Sequence, residues 1–313
     1  METEKVLIIA GPTSSGKTTL AFCLGAQEQT SIISADSRQV YQGLGILTGK
    51  DIPEDFVEKD SGLIFNSHPV VFYETGNLRL WGFDLLRPDE VFNAADFSFL
   101  TRKIIAKEQQ ENRKIIIVGG TGFYLKSLTE PDSLAQVVPN DSLRLSLEKA
   151  TIEDLQQKLW EINPQKFVSM NQSDASNPRR LVRAIEVASL PSRTTQKKSV
   201  DKPLSTTWIG IKTSLSDLKT KVEKRVRDRL YRGAVTEVES LLRNYSDQNL
   251  PVYTTLGVKP IIRFLSKEID LDTLIETWVT DEVNYAKRQL TWFKKQRQIV
   301  WYDLDRITKQ KIV

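Results

Sequence analysis

Val6-Leu7-Ile8-Ile9 runs into Gly11-Pro12-Thr13-Ser14-Ser15-Gly16-Lys17-Thr18, after which Leu20, Ala21 and Leu24 recur at helical spacing. No other stretch restricts the fold as much. The octet fits G-x-x-x-x-G-K-[ST] with a strand before it and a helix after it, the setting in which that pattern has a physical meaning. Gly11 and Gly16 permit the tight turn. Successive backbone N–H groups and the helix N-terminus then make a nest for an anion. Lys17 adds a point charge, and the Thr18 hydroxyl is suited to Mg²⁺. A phosphate-bearing ligand is implied, without saying which.

Further β-branched runs predict strands at Ser31–Ser34, Ile115–Val118, Trp208–Ile211 and Ile299–Tyr302, separated by helical patterns. Strand–turn–helix units of this kind predict an α/β fold: a P-loop NTPase-like parallel sheet core. Two stretches break the rhythm. Residues 132–190 carry only helical periodicity, and residues 214–295 are mostly helical and rich in Lys and Arg. The expected organisation is a first core segment at 1–130 and an inserted all-helical subdomain with a basic loop at 131–203. Residues 204–313 complete the core with a helical C-terminal region. The basic loop is Pro191 to Pro203, with Arg193, Lys197, Lys198 and Lys202.

Composition removes several chemistries. The 313 residues include one histidine, His68, and one cysteine, Cys23. An intrachain disulfide is impossible, and a Cys/His zinc site lacks ligands. A catalytic base is more readily a carboxylate than an imidazole. Cys23 is expected in the core, and His68 is expected to be an ordinary surface or loop residue. The start of the chain has no signal-like apolar stretch and no run reaches membrane-spanning length, so a cytoplasmic protein is expected.

The first acidic candidate is Asp36, in Ser34-Ala35-Asp36-Ser37-Arg38-Gln39 after the second strand. Carboxyl ends of parallel strands face the ligand crevice, which points Asp36 at whatever the loop holds. An N-cap role explains the same residue. The third strand runs into Gly119 rather than Asp, so the metal carboxylate of an ordinary ATPase is missing there, which argues against simple nucleotide hydrolysis.

Three cationic sets follow. Lys219, Lys221, Lys224, Arg225, Arg227, Arg229 and Arg232 stand against Glu223 and Asp228. Leu218, Val222, Val226 and Leu230 repeat at i+4 and are expected to face the core, which leaves the cations outward. Arg179, Arg180 and Arg183 form the second set. Lys287, Arg288, Lys294, Lys295 and Arg297 form the third, interleaved with Trp292 and Phe293. Each alone reads as a solvated face; three together favour RNA.

The phosphate loop, Ile33-Ser34-Ala35-Asp36-Ser37-Arg38-Gln39-Val40-Tyr41 and Val118-Gly119-Gly120-Thr121-Gly122-Phe123-Tyr124-Leu125 together resemble the tRNA dimethylallyltransferases. Asn177-Pro178-Arg179-Arg180-Leu181-Val182-Arg183-Ala184-Ile185-Glu186-Val187 and Ala286-Lys287-Arg288-Gln289-Leu290-Thr291-Trp292-Phe293 continue the likeness, in order, over nearly the whole chain. The resemblance implies transfer of a dimethylallyl group from dimethylallyl diphosphate to N6 of the tRNA adenosine 3′ of the anticodon. It implies Mg²⁺ as cofactor and the anticodon stem-loop as partner, with a monomer expected. Asp36 would be the general base, with Thr13, Lys17 and Thr121 as further catalytic residues. RNA contacts would come from Asp36, Ser37, Arg38, Gln39, Thr121, Arg179, Arg180, Leu181, Arg183, Gly257, Lys259, Arg288 and Trp292. For Thr121, a helix N-cap is the competing assignment.

The chain departs from the family pattern in places. Leu80-Trp81-Gly82-Phe83-Asp84 stands for Pro-His-His-Leu-Ile-Asp, Gly257-Val258-Lys259-Pro260 for Gly-Tyr-Lys-Glu, and Ile46-Leu47-Thr48-Gly49-Lys50 for Ile-Gly-Thr-Ala-Lys. No Cys/His zinc-finger extension is present, which favours a bacterial-type enzyme. Trp81 and Phe83 either line the prenyl or adenosine site or plug the core. Rival readings are an adenylate isopentenyltransferase acting on free nucleotides, a P-loop kinase or NTPase, and a non-catalytic RNA-binding module.

Overall fold

A computed structural model of the chain describes residues 5–130, 140–189 and 203–303. The chain divides into two compact units, residues 1–129 with 203–313, and residues 130–202. The C-terminal helical region therefore belongs to the same unit as the sheet. The expected basic loop lies outside the described residues except for Pro203.

The first unit is built on eight strands: β1 (Val6–Ala10), β2 (Thr30–Ser34), β3 (Val57–Phe65), β4 (His68–Thr75), β5 (Leu78–Trp81), β6 (Lys114–Gly119), β7 (Thr206–Lys212) and β8 (Ile299–Asp303). Their order is β3-β4-β5-β2-β6-β1-β7-β8. From β5 to β8 all neighbours pair in parallel. The five strands expected from sequence are all present. The expected parallel core is present, and β3, β4 and β5 add an antiparallel extension to it that the sequence reading did not include. Its outer strand starts with exposed Val57, Glu58, Lys59 and Asp60, and a bulge lies between Asp60 and Leu63. Charge and irregularity blunt such an edge and also hide it from period-2 pattern reading.

Helices α1 (Lys17–Gly25), α2 (Gly45–Thr48), α3 (Ala94–Gln110) and α4 (Gly122–Thr129) precede the second unit in sequence. In α3, Asn93 and Asp96 form a reciprocal capping box, and Phe97, Leu100, Ile104 and Ile105 make the buried stripe.

The second unit contains α5 (Asp141–Leu147), α6 (Ile152–Ile162), α7 (Pro164–Ser169), α8 (Gln172–Ala175) and α9 (Pro178–Ala188), all helical as expected. Leu147, Leu155, Leu159, Leu181 and Ile185 form its own core. Glu186 is buried there and bonded by Arg144 at 2.6 and 3.0 Å and by Arg183 at 2.9 Å. Burial pushes its carboxyl up, but the Arg144, Asn140 and Arg183 bonds win and hold it at about 2.

Back in the first unit come α10 (Leu215–Arg232), α11 (Ala234–Asn244), α12 (Val258–Leu265) and α13 (Leu271–Phe293). Leu218, Val222 and Val226 are buried as expected, with Leu230 partly buried against the same core.

One expectation about a single residue is overturned, and one open alternative is decided. Cys23 is exposed on α1 rather than in the core. Trp81 is fully buried and stacks on Phe72 with centroids 4.7 Å apart, and Phe83 is buried as well. Of the two roles left open by the sequence, burial favours packing for both. His68 opens β4 and pairs with Glu90 at 3.0 Å.

Candidate active site

The phosphate loop joins β1 to α1. Gly16, at φ +90°, enters α1, which has no side-chain cap and no acidic residue in its first turn. Its leading N–H groups are thus left for an outside anion, and the helix dipole adds to their pull. Ser14 sits at φ +60°, and the buried Ser15 hydroxyl has no hydrogen-bond partner. A buried hydroxyl without a protein partner, among N–H donors, is suited to an anion. Lys17 Nζ donates to the Pro12 carbonyl. Burial, and next the nearby Arg225 charge, push Lys17 down to about 7, with Asp36 opposing them.

Arg225 was grouped with the other cations of α10 as an outward face, but the structure separates them. Its Nη1 reaches Ser14 Oγ at 3.3 Å, so it belongs to the phosphate loop. Arg229 is buried in an ion pair with Glu282 at 2.8 Å, a correction to its outward placement. Arg232 pairs with Asp51 at 2.9 Å.

Asp36 follows β2 on the carboxyl edge of the sheet. Its Oδ1 accepts from Arg38 N at 2.8 Å and Gln39 N at 3.4 Å, so it does cap the following turn. Both bonds fall on one oxygen, which leaves Oδ2 for another partner. Its charge is felt at Lys17 on one side and at Tyr124 and Tyr285 on the other.

Thr121 carries the opposite wall. Its carbonyl accepts from Tyr124 N and Leu125 N to start α4, but its hydroxyl turns away and accepts from Ser37 N at 3.2 Å. The side chain therefore ties two loops together and does not cap its own helix. The approach demands glycine before it, because a Cβ on Gly119 would lie 2.2 Å from the Ala35 carbonyl oxygen.

The residue that sequence reasoning missed here is Gln289 of α13. Its Oε1 accepts from Thr13 N at 2.8 Å, and its Nε2 donates to the Gly120 carbonyl at 2.9 Å. One buried amide thus bridges the phosphate loop and the Thr121 loop. A Cβ on Gly120 would lie 2.1 Å from that Nε2. Tyr285, one turn earlier, lies beside Thr121 and Gln289; burial, and next the Asp36 charge, push its phenol up to about 12. Arg288 lies over the Tyr285 ring at 5.7 Å.

Other residues expected at the RNA contact divide. Ser37 N is spent on Thr121, Arg38 donates to the Pro251 carbonyl at 3.1 Å, and Gln39 bonds Ser34 and Gly49. Leu181 is core of the second unit, a correction. Arg180 pairs with Asp174, Arg183 is held by Glu186, and Arg179 is exposed. Gly257 is buried, with a Cβ there 2.5 Å from the Trp278 ring, which makes it a packing glycine. Lys259 is exposed. Trp292 is half-buried, and a Cβ on Gly122 would lie 2.3 Å from its ring, so it serves as packing as well.

For a magnesium ion the donor set is thin but suitable. Among the described residues no three His, Cys, Asp or Glu side chains cluster as a ligand set. Mg²⁺ commonly leans on phosphate oxygens plus one or two protein oxygens. The exposed Thr18 hydroxyl at the start of α1 fits that requirement.

The family model described as IPP transferase matches residues 73–296, and one described as isopentenyl transferase matches residues 4–64. The chain is 32% identical over 312 residues to the tRNA dimethylallyltransferase of Ligilactobacillus salivarius, covering 96% of this chain and 94% of that one. Against the tRNA dimethylallyltransferase of Acetivibrio thermocellus it is 33% identical over 320 residues, with 99% and 95% covered. The solved tRNA isopentenylpyrophosphate transferase of Bacillus halodurans superposes with a TM-score of 0.64 at 26% identity, over 96% of this chain and 90% of that one. A eukaryotic dimethylallyltransferase acting on tRNA superposes at 0.75 with 22% identity, over 96% and 74%, a likeness of fold.

Proposed function

The chain belongs to the IPP transferase family, and on that premise we propose that it transfers a dimethylallyl group from dimethylallyl diphosphate to N6 of the tRNA adenosine 3′ of the anticodon. The observation that carries this reading is the Gln289 bridge. It holds the anion nest and the Asp36–Thr121 wall in one rigid frame.

The roles follow from charge. As the allylic C–O bond breaks, negative charge grows on the departing diphosphate. The α1 N–H groups, Lys17, Arg225 and the Ser15 hydroxyl are fixed donors for it, needing no reorganisation at that moment. Mg²⁺, held by Thr18, would supply further neutralisation of the diphosphate. The N6 amine of adenine is a weak nucleophile and must shed a proton as the C–N bond forms. Asp36 takes that proton through the oxygen its capping bonds leave free. Thr121 and Tyr285 orient the acceptor beside it. Reaching N6 requires taking the base out of its stack, at a cost of a few kcal/mol. Exposed Lys221, Lys224, Arg227 and Arg288 offer phosphate contacts.

No helix among the described residues is long and apolar enough to cross a membrane. The enzyme is proposed to act as a cytoplasmic monomer. Incubation with labelled dimethylallyl diphosphate, Mg²⁺ and a tRNA bearing adenosine 3′ of its anticodon tests the reading. Label is expected on that adenosine. Label on free adenine nucleotides alone would replace tRNA with a mononucleotide acceptor.

A further inference from the structure

We propose that Gly49-Lys50-Asp51 forms a seat that aims Arg225 at the phosphate loop and thereby sets how tightly the diphosphate is held; this rests on reading that loop as the donor site. The seat is built from the backbone outward. Gly49 has φ +62°, and a Cβ there would lie 2.5 Å from Nη2 of both Arg225 and Arg229. Two guanidinium groups thus pack against a position where any side chain would displace them.

Asp51 completes the seat. Its Oδ2 accepts from Arg225 Nη2 at 3.2 Å, and its Oδ1 accepts from Arg232 Nη1 at 2.9 Å. The other end of the Arg225 guanidinium, Nη1, reaches Ser14 in the phosphate loop at 3.3 Å. A planar group held by one edge presents its remaining N–H donors in a fixed direction.

The base under the seat is itself fixed. The Glu237 carboxylate accepts from Ile46 N at 2.9 Å and Leu47 N at 2.7 Å, which anchors α2. Gln39 Nε2 donates to the Gly49 carbonyl at 2.9 Å, and Lys50 Nζ donates to Tyr41 O at 2.7 Å and Asp84 Oδ1 at 2.5 Å. Asp51 adopts φ +46°, an uncommon conformation that this surrounding holds in place.

Electrostatics make the carboxylate necessary. Arg225, Arg229 and Arg232 share one side of α10, spaced four and three residues apart. Arg229 has Glu282 as its counter-charge. Burial and the Arg229 charge both depress the Arg225 pKa. Without Asp51, Arg225 would face the Arg229 and Lys17 charges, with Glu282, already paired to Arg229, drawing it away from the loop.

Calorimetric binding of Mg²⁺-dimethylallyl diphosphate to the full chain tests this. Asp51→Ala is expected to bind the diphosphate about tenfold more weakly, the size of one lost charge-assisted contact, with tRNA affinity unchanged. Asp51→Asn, which keeps an acceptor without the charge, should fall between Asp51→Ala and the parent. In an Arg225→Ala background, Asp51→Ala should cost nothing further. An equal loss in both backgrounds would make Asp51 a general structural residue. Unchanged or tighter binding in Asp51→Ala would make it idle or a competing anion; either result overturns the seat. Failure of the parent protein to bind the diphosphate would instead bring down the donor assignment, and the seat with it.

Discussion

Lys17 offers a direct measurement of how the phosphate loop works. Without a bound anion its pKa falls from 10.5 to about 7, chiefly through burial and next through Arg225. At about 1.36 kcal/mol per unit, placing a charged lysine there costs up to about 5 kcal/mol. A bound diphosphate removes that cost by supplying the missing counter-charge, so the pKa must return toward its ordinary value. Below pH 7 Lys17 is already charged and affinity is flat in pH. Above it, each binding event must take up a proton, and the association constant should fall about tenfold per pH unit. At pH 8 the uptake should approach about 0.9 proton per diphosphate. Calorimetry in buffers of different ionisation enthalpy counts those protons directly. Lys17→Met should abolish both the uptake and the slope. The unliganded protein should show the same linkage in its stability. Between pH 7 and 10.5 the unfolded chain holds the Lys17 proton more firmly than the folded one. Stability relative to Lys17→Met should therefore rise across that window and be lowest below pH 7. A parent protein that binds diphosphate at pH 8 with no proton uptake would refute the argument, since Lys17 would then be charged in the empty loop.

Asp36→Asn keeps the Oδ1 acceptor for Arg38 N, so folding and both substrate affinities should survive while turnover falls about 10²–10⁴-fold; near-normal single-turnover rates would leave Asp36 as a cap only. Gln289→Leu removes both bridging bonds at nearly constant volume, and single-turnover transfer should slow more than either substrate's affinity weakens. Equal losses in affinity and rate would mean that Gln289 supports binding rather than alignment. Glu186, held at about 2, contributes stability that is present above its ordinary value near 4.5 and lost as pH falls through about 2; acid titration followed by circular dichroism should show Glu186→Gln to be less acid-sensitive than the parent. For the same reason Arg183→Ala should lower thermal stability and leave the salt dependence of tRNA binding nearly unchanged.

The parts of this site that could be read from sequence are those written locally. A strand, eight loop residues and a helix identify the anion nest, and a carboxylate after the next strand identifies Asp36. What escaped depends on partners far apart in the chain. Arg225 and Arg229 are four residues apart on one basic helix and look alike. Only their counter-charges, Asp51 and Glu282, separate a loop residue from a buried ion pair. Gln289 did leave a signal: a polar residue in the buried stripe with Ala286 and Phe293. Buried amides usually have fixed partners, so its position marked it for a bridging role. Trp81 could not be assigned because Phe72, the ring it stacks on, comes from the sheet extension that charged Glu58, Lys59 and Asp60 concealed.

The division of the sheet across two distant stretches of chain has a consequence for biosynthesis. β1 lies between β6, which ends at Gly119, and β7, which starts at Thr206. A ribosome adding about 5–20 residues per second needs roughly 4–17 s to cover that gap. During that interval the nascent sheet has an open flank at β1, an unpaired edge until β7 arrives. Arg225 and Gln289 emerge later still, so the nascent protein has its phosphate loop long before it has the side chains that contact and bridge that loop. A product truncated before α13 should lack the Gln289 bridge, leaving the phosphate loop and the Thr121 loop untied.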